Sequence, residues 1–244
     1  MSTDNRDQLT QRLLADAGHL GVALTDMQLA RLVEFLFQLE RWNKTYNLTA
    51  IRDIEAMRVQ HLVDSLAVVP ALVQVLDGSP RDRAADHADA GAGTSLAEAR
   101  DQDCIRLMDV GSGAGLPGVV LAIVRSDWMV TCVDAVEKKT AFVRHVASLL
   151  KLPNLDVRHA RVERLAPQEC DAVISRAFAS LDEFAELAGR HVKHDGMLVA
   201  MKGKYPHEEI DALHAHTAWK VLRTERLVVP GLDAERCVVF MQRA

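Results

Sequence analysis

The chain has 244 residues, of which 49% are hydrophobic and 26% charged, and its formal net charge is -5. That much apolar material can bury a sizeable core, so the chain is expected to fold rather than stay disordered. A protein that coats nucleic acid non-specifically is normally basic overall, so any nucleic-acid contact here has to be local or depend on shape.

The N-terminal stretch MSTDNRDQLT is polar and lacks the apolar centre of a signal peptide. No apolar run reaches the ~18 residues of a membrane helix, so a soluble cytoplasmic protein is expected. Residues 1–76 are predicted to be a helical extension. Thr25 and Gln28 have capping-box spacing, and Leu29, Leu32, Val33 and Leu36 follow at helical intervals. The polar and aromatic segment 42–50 has poor periodicity and is expected to be a loop. A second helix is predicted from about Asp53 to Val69, where Pro70 interrupts it. Residues 77–104 are rich in Ala, Asp, Gly and Arg, with Leu96 as the only large aliphatic side chain, and are expected to be a flexible linker or insertion.

From Ile105 to the end, residues 105–244, strands and helices alternate. IRLMDV and WMVTCVD are short apolar runs, the first ending at a glycine-rich turn and the second in an acid. Residues 137–150 are predicted to form an amphipathic helix with Phe142, Val146 and Leu149 on one stripe. LDVRHA, DAVIS and GMLVAMK are predicted strands, and Ser180 and Glu183 have capping-box spacing at the start of a helix between the last two. Alternating units of this kind imply a mostly parallel sheet covered on both faces. VLRTERLVVP and RCVVFM flank the turn-prone GLDAE and predict a closing antiparallel hairpin.

The most informative motif is Asp109-Val-Gly111-Ser-Gly113-Ala-Gly115-Leu116-Pro117-Gly118, between a strand and a helix. Glycines here let the backbone turn sharply and approach a ligand, and ligands of open α/β sheets sit at the carboxyl ends of the strands. A dinucleotide fingerprint needs Gly-x-Gly-x-x-Gly, but position 116 is Leu. The spacing instead resembles the first motif of class I S-adenosylmethionine methyltransferases. That resemblance implies a Rossmann-like fold with a seven-stranded, mostly parallel sheet. Gly111, Gly113 and Gly115 would then border the cofactor, and Asp134, at the end of the next strand, would accept from the ribose hydroxyls.

The residues constrain the reaction partly by exclusion. Exocyclic amine methylation commonly uses an Asn/Asp-Pro-Pro-aromatic motif after the fourth strand, where this chain reads Ile174-Ser175-Arg176-Ala177-Phe178. Pyrimidine C5 methylation needs a cysteine nucleophile, typically after proline. No Pro-Cys pair occurs among Cys104, Cys132, Cys170 and Cys237, and no Cys-x-x-Cys pair points to zinc. Guanine N7 has an unprotonated in-plane lone pair and needs no general base, so its methylation is compatible with the sequence without being selected by it.

Several strings carry a closer likeness: WNKTYNLTAI (42–51), HLVDSL (61–66), DVGSGAGLPG (109–118), VDAVEKKTAF (133–142), RVERL (161–165), ISRAFASL (174–181) and MKGK (201–204). On these the chain resembles the RsmG (GidB) family, bacterial methyltransferases of guanine-527 N7 in 16S ribosomal RNA, from about residue 25 onward. The resemblance implies that Gly111 and Leu116 line the S-adenosylmethionine pocket and that Val162 and Glu163 flank the adenine. It also implies that Arg176 sits beside the cofactor and the entering base. The 77–104 segment departs from the family in being longer and more polar.

Between Lys138 and Arg164 seven Lys or Arg face two acids, Asp156 and Glu163, a local excess that could attract phosphates. Lys138, Lys139, Lys202, Lys204 and Asn47 are the candidate RNA contacts, with solvated surface or turn decoration as the plainer alternative. His61 and Asp64, three apart on one predicted helix, are expected to be able to meet and to fix the loop before them. Burial of Trp42 and Tyr46 under the helices is favoured over stacking on bases. The expected partner is 16S rRNA or the small subunit, for a monomer with no metal and no membrane. A small-molecule methyltransferase and a non-catalytic, cofactor-sensing RNA-binding module stay open.

Overall fold

A computed structural model describes residues 3–77 and 104–244; nearly all of the expected 77–104 linker lies outside the described residues. Helix α1 spans Thr3–His19, and α2 spans Asp26–Tyr46. The Thr25 hydroxyl accepts from the Gln28 amide while the Gln28 side chain accepts from the Thr25 amide, so the capping box forms as its spacing predicts. Helix α2 does not stop at residue 42. It continues to Tyr46 and ends on Asn47, whose left-handed φ of 48° stops the helix. The polar surface of that last turn hid its periodicity, because only Asn43 there is buried within the helix.

The next helical run also outlasts its prediction. It comprises α3 (Ile54–Met57), a π-helical turn (Arg58–Val63), α4 (Asp64–Ala67) and α5 (Val69–Leu76). Pro70 lies in the first turn of α5, where its missing N–H costs nothing, so it does not end the run. Among the described residues, Ile54–Leu76 is long and apolar enough to cross a membrane by length and composition, contrary to the expectation that no run reached that length. Its 18-residue window is 72% buried within the protein.

Among the described residues seven strands follow: β1 (Ile105–Val110), β2 (Trp128–Asp134), β3 (Leu155–His159), β4 (Cys170–Arg176), β5 (Val192–Lys202), β6 (Trp219–Leu227) and β7 (Arg236–Arg243). They form one sheet in the order β3-β2-β1-β4-β5-β7-β6. The first five are parallel, and β7 and β6 close the sheet antiparallel, as expected. Helices α6 (Gly118–Val124), α7 (Glu137–Leu149), α8 (Leu181–Ala188) and α9 (His207–His216) fill the crossovers. Ser180 caps α8 by accepting from the Glu183 amide. The buried stripe of α7 is Phe142, Val143 and Val146. Leu149 instead is 45% exposed, and Leu150, just past the helix, is buried.

The core lies on both faces of the sheet. One side is continuous with the N-terminal helices, from Leu9 and Phe35 through Leu72 to Val119 and Phe142. The other is closed by α8 and α9 around Phe184 and Leu213. Register aligns the strand ends: Asp109 pairs with Cys132 and Ile174, and Arg176 with Met201. The strand order reverses between β1 and β4, the switch point at which open α/β sheets bind ligands.

Candidate active site

The loop after β1 is held by backbone bonds before any ligand is considered. The Gly111 and Ser112 amides both donate to the Val133 carbonyl, at 2.9 and 3.1 Å. Gly113 N–H donates to Asp134 Oδ2 at 2.9 Å and Val136 N–H to Asp134 Oδ1 at 2.8 Å. Asp134 therefore ties the loop to the end of β2, with lone pairs left over for further donors.

Two cavities flank this loop. One, of about 500 Å³, is lined by Asp134, Val162, Glu163 and Phe178 among others. The other, of about 510 Å³, has a wall from the N-terminal helices (Leu48, Thr49, Gln60, His61, Asp64) and a wall from the sheet (Arg176, Met201, Lys202, Arg236). Gly111, Lys139 and Ala177 line both.

The predicted cofactor residues divide between them. Gly111 borders both cavities, Leu116 faces the second, and Val162 and Glu163 face the first. Gly113 has a φ of 57°, and a Cβ there would meet only the Gly111 carbonyl at 3.9 Å, so a side chain would project into open space. Gly115 departs from its expected role. A Cβ there would sit 2.3 Å from Val119 Cγ2 and 3.1 Å from Val143 Cγ2, and Gly115 lines neither cavity. It is glycine so that the loop can pack on α6 and α7.

Asp109 is fully buried. Its Oδ2 accepts from Gly118 N–H at 2.7 Å, and Oδ1 has no hydrogen-bond partner among the described residues. Burial, opposed by the Gly118 amide and the Arg176 charge, pushes its carboxyl up to about 7.

Arg176 ends β4 and is fixed from across the cavity. Its Nη1 donates to the Gln60 carbonyl and to Asp64 Oδ2, both at 2.9 Å. Asp64, 3% exposed at its side chain, accepts from Arg236 Nε through Oδ1 at 2.8 Å. One carboxylate on α4 thus joins the ends of β4 and β7. His61 and Asp64 do not bond to each other as expected. The π-helical turn places them toward different partners, and His61 Nε2 lies 2.9 Å from the Thr49 hydroxyl and Nδ1 lies 3.1 Å from the Gln60 carbonyl. The carbonyl accepts only from Nδ1–H, so Nε2 accepts from Thr49. Burial, with the Arg176 charge adding to it, lowers the imidazole to about 4, so His61 is neutral near pH 7. The structure does bear out the expectation that this helix fixes the preceding loop, through Thr49.

The candidate RNA contacts fare unequally. Lys202 borders the second cavity, but its ammonium donates to the Ala179 carbonyl at 2.7 Å and pairs with Glu209 at 2.6 Å. An internal acid therefore takes the charge expected to meet phosphate. Lys204 and Lys138 are exposed, and Lys139 is half-buried at the seam of the two cavities. Asn47 is exposed and its Oδ1 accepts from Arg52 at 3.1 Å. Within the basic run, Arg158 pairs with Asp156 and Arg161 with Glu163, so the local excess rests on the other five cations. Trp42 packs on Phe142 with ring centroids 5.5 Å apart, while Tyr46 is 43% exposed rather than covered. Cys132 and Cys170 are buried strand residues, and burial pushes the Cys170 thiol up to about 12, which suits neither for nucleophilic attack.

Sequence reasoning did not find Arg236, Gln60 or Phe178. Arg236 lies 172 positions from Asp64, and no local spacing reports such a pairing.

The family model described as rRNA small subunit methyltransferase G matches residues 28–96 and 94–239. Curated relatives bearing the name ribosomal RNA small subunit methyltransferase G span nearly the whole chain. The one from Bordetella pertussis is 54% identical over 96% of this chain and 89% of its own. Those from Bordetella avium and Leptothrix cholodnii are 53% and 46% identical, over 100% and 94% of this chain and 98% and 94% of their own.

Proposed function

Because the chain belongs to the rRNA small subunit methyltransferase G family, we propose that it uses S-adenosylmethionine to methylate N7 of guanine 527 in 16S ribosomal RNA, in the cytoplasm. The observation that carries this reading is the pair of cavities that share Gly111, Lys139 and Ala177. One suits a nucleoside-bearing donor and the other an RNA base, and they meet where a group would pass between them.

The residues fit S-adenosylmethionine. Val162 and Phe178 supply apolar surface for a purine, and Asp134 and Glu163 supply carboxylate acceptors for sugar hydroxyls. Gly113 lines the second cavity beside Gly111, where the two cavities meet, and the open space beyond it leaves room for the methyl-bearing end of the donor against the loop backbone. When bound, the cofactor supplies an electrophilic methyl group on a sulfonium. The protein's part is to bind, orient and exclude water. Guanine N7 carries no proton, so no general base is needed, and the neutral imidazole of His61, committed to Thr49 and Gln60, is not placed as one. Arg176, held from two directions by Gln60 and Asp64, offers its remaining N–H groups to the second cavity as a fixed donor for the base. Catalysis here rests on proximity and orientation, which are worth ~7–11 kcal/mol when the reacting atoms are well aligned.

We assign residues 1–76 to a helical extension that walls the base cavity and 105–244 to the methyltransferase domain, joined by 77–104. The test is incubation with methyl-labelled cofactor and small ribosomal subunits that lack the mark, followed by mass spectrometric mapping. Label at N7 of the guanine is expected. No label there, while a known methyltransferase labels the same particles, overturns the proposal.

A further inference from the structure

We propose that Tyr46 and Tyr205 are the two stacking platforms on which the protein lays the single-stranded nucleotides that flank the target base. This inference rests on the RNA methyltransferase reading above.

The chain has only two tyrosines. Both are conspicuously exposed, Tyr46 at 43% and Tyr205 at 47%. Tyr46 closes α2, and two residues later Leu48 begins the N-terminal wall of the second cavity. Tyr205 follows Lys202 and Gly203, which belong to the sheet wall of the same cavity. Each tyrosine thus lies within two residues in sequence of a different wall of that cavity.

Each ring is backed by another. The Tyr46 centroid lies 5.1 Å from that of Trp42, which itself packs on Phe142, and the Tyr205 centroid lies 4.3 Å from that of His207. Such backing limits ring motion, so less freedom is lost when a base stacks on the remaining face. Cations accompany each ring. Gln38 meets His145 and Trp42 meets Phe142, so α2 and α7 run antiparallel and bring Tyr46 toward Lys138 and Lys139. Lys204 adjoins Tyr205 and is exposed. An aromatic face beside a cation is the combination that holds single-stranded nucleic acid, one for the base and one for the phosphate.

The charge balance gives stacking added weight here. A net charge of -5 gives no general attraction for RNA, and Lys202 is neutralised internally by Glu209. Stacking is indifferent to base identity, so the pair selects an unstacked, splayed strand, and the target guanine is chosen in the cavity between.

The experiment compares the wild type with Tyr46→Ala, Tyr205→Ala and the double variant, and with Tyr46→Phe and Tyr205→Phe. Binding of a fluorescein-labelled RNA hairpin carrying the guanine in its loop is followed by anisotropy, KM is measured on small ribosomal subunits lacking the mark, and cofactor affinity is measured by calorimetry. Each Ala variant is expected to raise the RNA Kd or the KM by roughly five-fold or more, as loss of one base–aromatic stack does. The double variant should lose about the product. The Phe variants, which keep the ring, should restore RNA engagement, and cofactor affinity should hold within about two-fold throughout. Ala variants with RNA Kd and KM within about two-fold of wild type overturn the proposal. So do Ala variants that lose cofactor affinity in parallel, since the tyrosines are then structural. A wild type that neither binds nor methylates RNA overturns the function proposed above, a separate outcome.

Discussion

Replacing Asp64 by Asn removes one charge from a site that serves two guanidiniums. The Asp64 side chain is 3% exposed, and its oxygens lie 2.9 Å from Arg176 Nη1 and 2.8 Å from Arg236 Nε. At an effective dielectric of ~20, each ion pair is worth ~4 kcal/mol before desolvation is charged against it. Breaking a buried pair on one side costs ~3–5 kcal/mol, because the partner is left uncompensated. Here the guanidiniums are 21% and 25% exposed, so water recovers part of that, and a loss of ~2–4 kcal/mol is expected. A domain of ordinary stability, ~5–15 kcal/mol, stays folded. Urea denaturation should show a lower midpoint with an unchanged slope. Methyl transfer to ribosomal subunits should fall by ~10-fold or more, since each ~1.4 kcal/mol of lost transition-state stabilisation is ten-fold, while cofactor affinity moves less. A cycle with Arg176→Met should show coupling between the two sites. An Asn variant within ~0.5 kcal/mol of wild type and equally active, or strictly additive effects in the cycle, refutes the reasoning.

Two glycines of one loop should separate by readout. Gly115→Ala forces a Cβ to 2.3 Å from Val119 at a φ of 83° and should cost ~2–4 kcal/mol of stability, whereas Gly113→Ala should cost only ~1–2 kcal/mol and chiefly weaken cofactor affinity by calorimetry; equal stability losses would contradict this. The Asp109 carboxyl is raised to about 7, so its contribution to stability is full below the unfolded value of about 3.8 and is lost as pH rises through about 7. Stability measured against pH should therefore fall toward neutrality by up to ~1.4 kcal/mol per unit in wild type relative to Asp109→Asn, and parallel curves would show that the group does not titrate there. His61 should titrate near 4 by NMR, and because its folded value is depressed, the stability it contributes is lost as pH falls from about 6.5 through 4; a midpoint near 6.5 would mean it is solvated and not bound to Thr49.

The sheet and its closing hairpin are legible in the sequence, because buried parallel strands are short apolar runs, and one helix between them, α8, carries its own cap at Ser180. Thr25 and Gln28 announce α2 for the same local reason. The helix ends at 46 and 76 are less legible. A polar last turn and a proline at a tolerated position look like breaks, and only packing shows that they are not. Within the candidate site, the glycine spacing points to the loop but cannot separate Gly113, which faces open space, from Gly115, which faces Val119. Lys202 looks like a phosphate ligand until Glu209 folds back onto it from α9. The links from Asp64 to Arg176 and Arg236 span 112 and 172 positions, and no periodicity encodes them.

The Gln60 carbonyl and the Asp64 carboxylate belong to helices laid down before the sheet begins, yet they steady an arginine at its far end. The half of the chain bearing the glycine loop is therefore no interchangeable cassette. Grafting its strands beneath a different head would keep every residue that lines the first cavity but remove both helix-borne partners of Arg176, Gln60 and Asp64. If the second cavity takes the acceptor as proposed, re-targeting such an enzyme starts with residues 48–64, which supply one of its walls, before any strand.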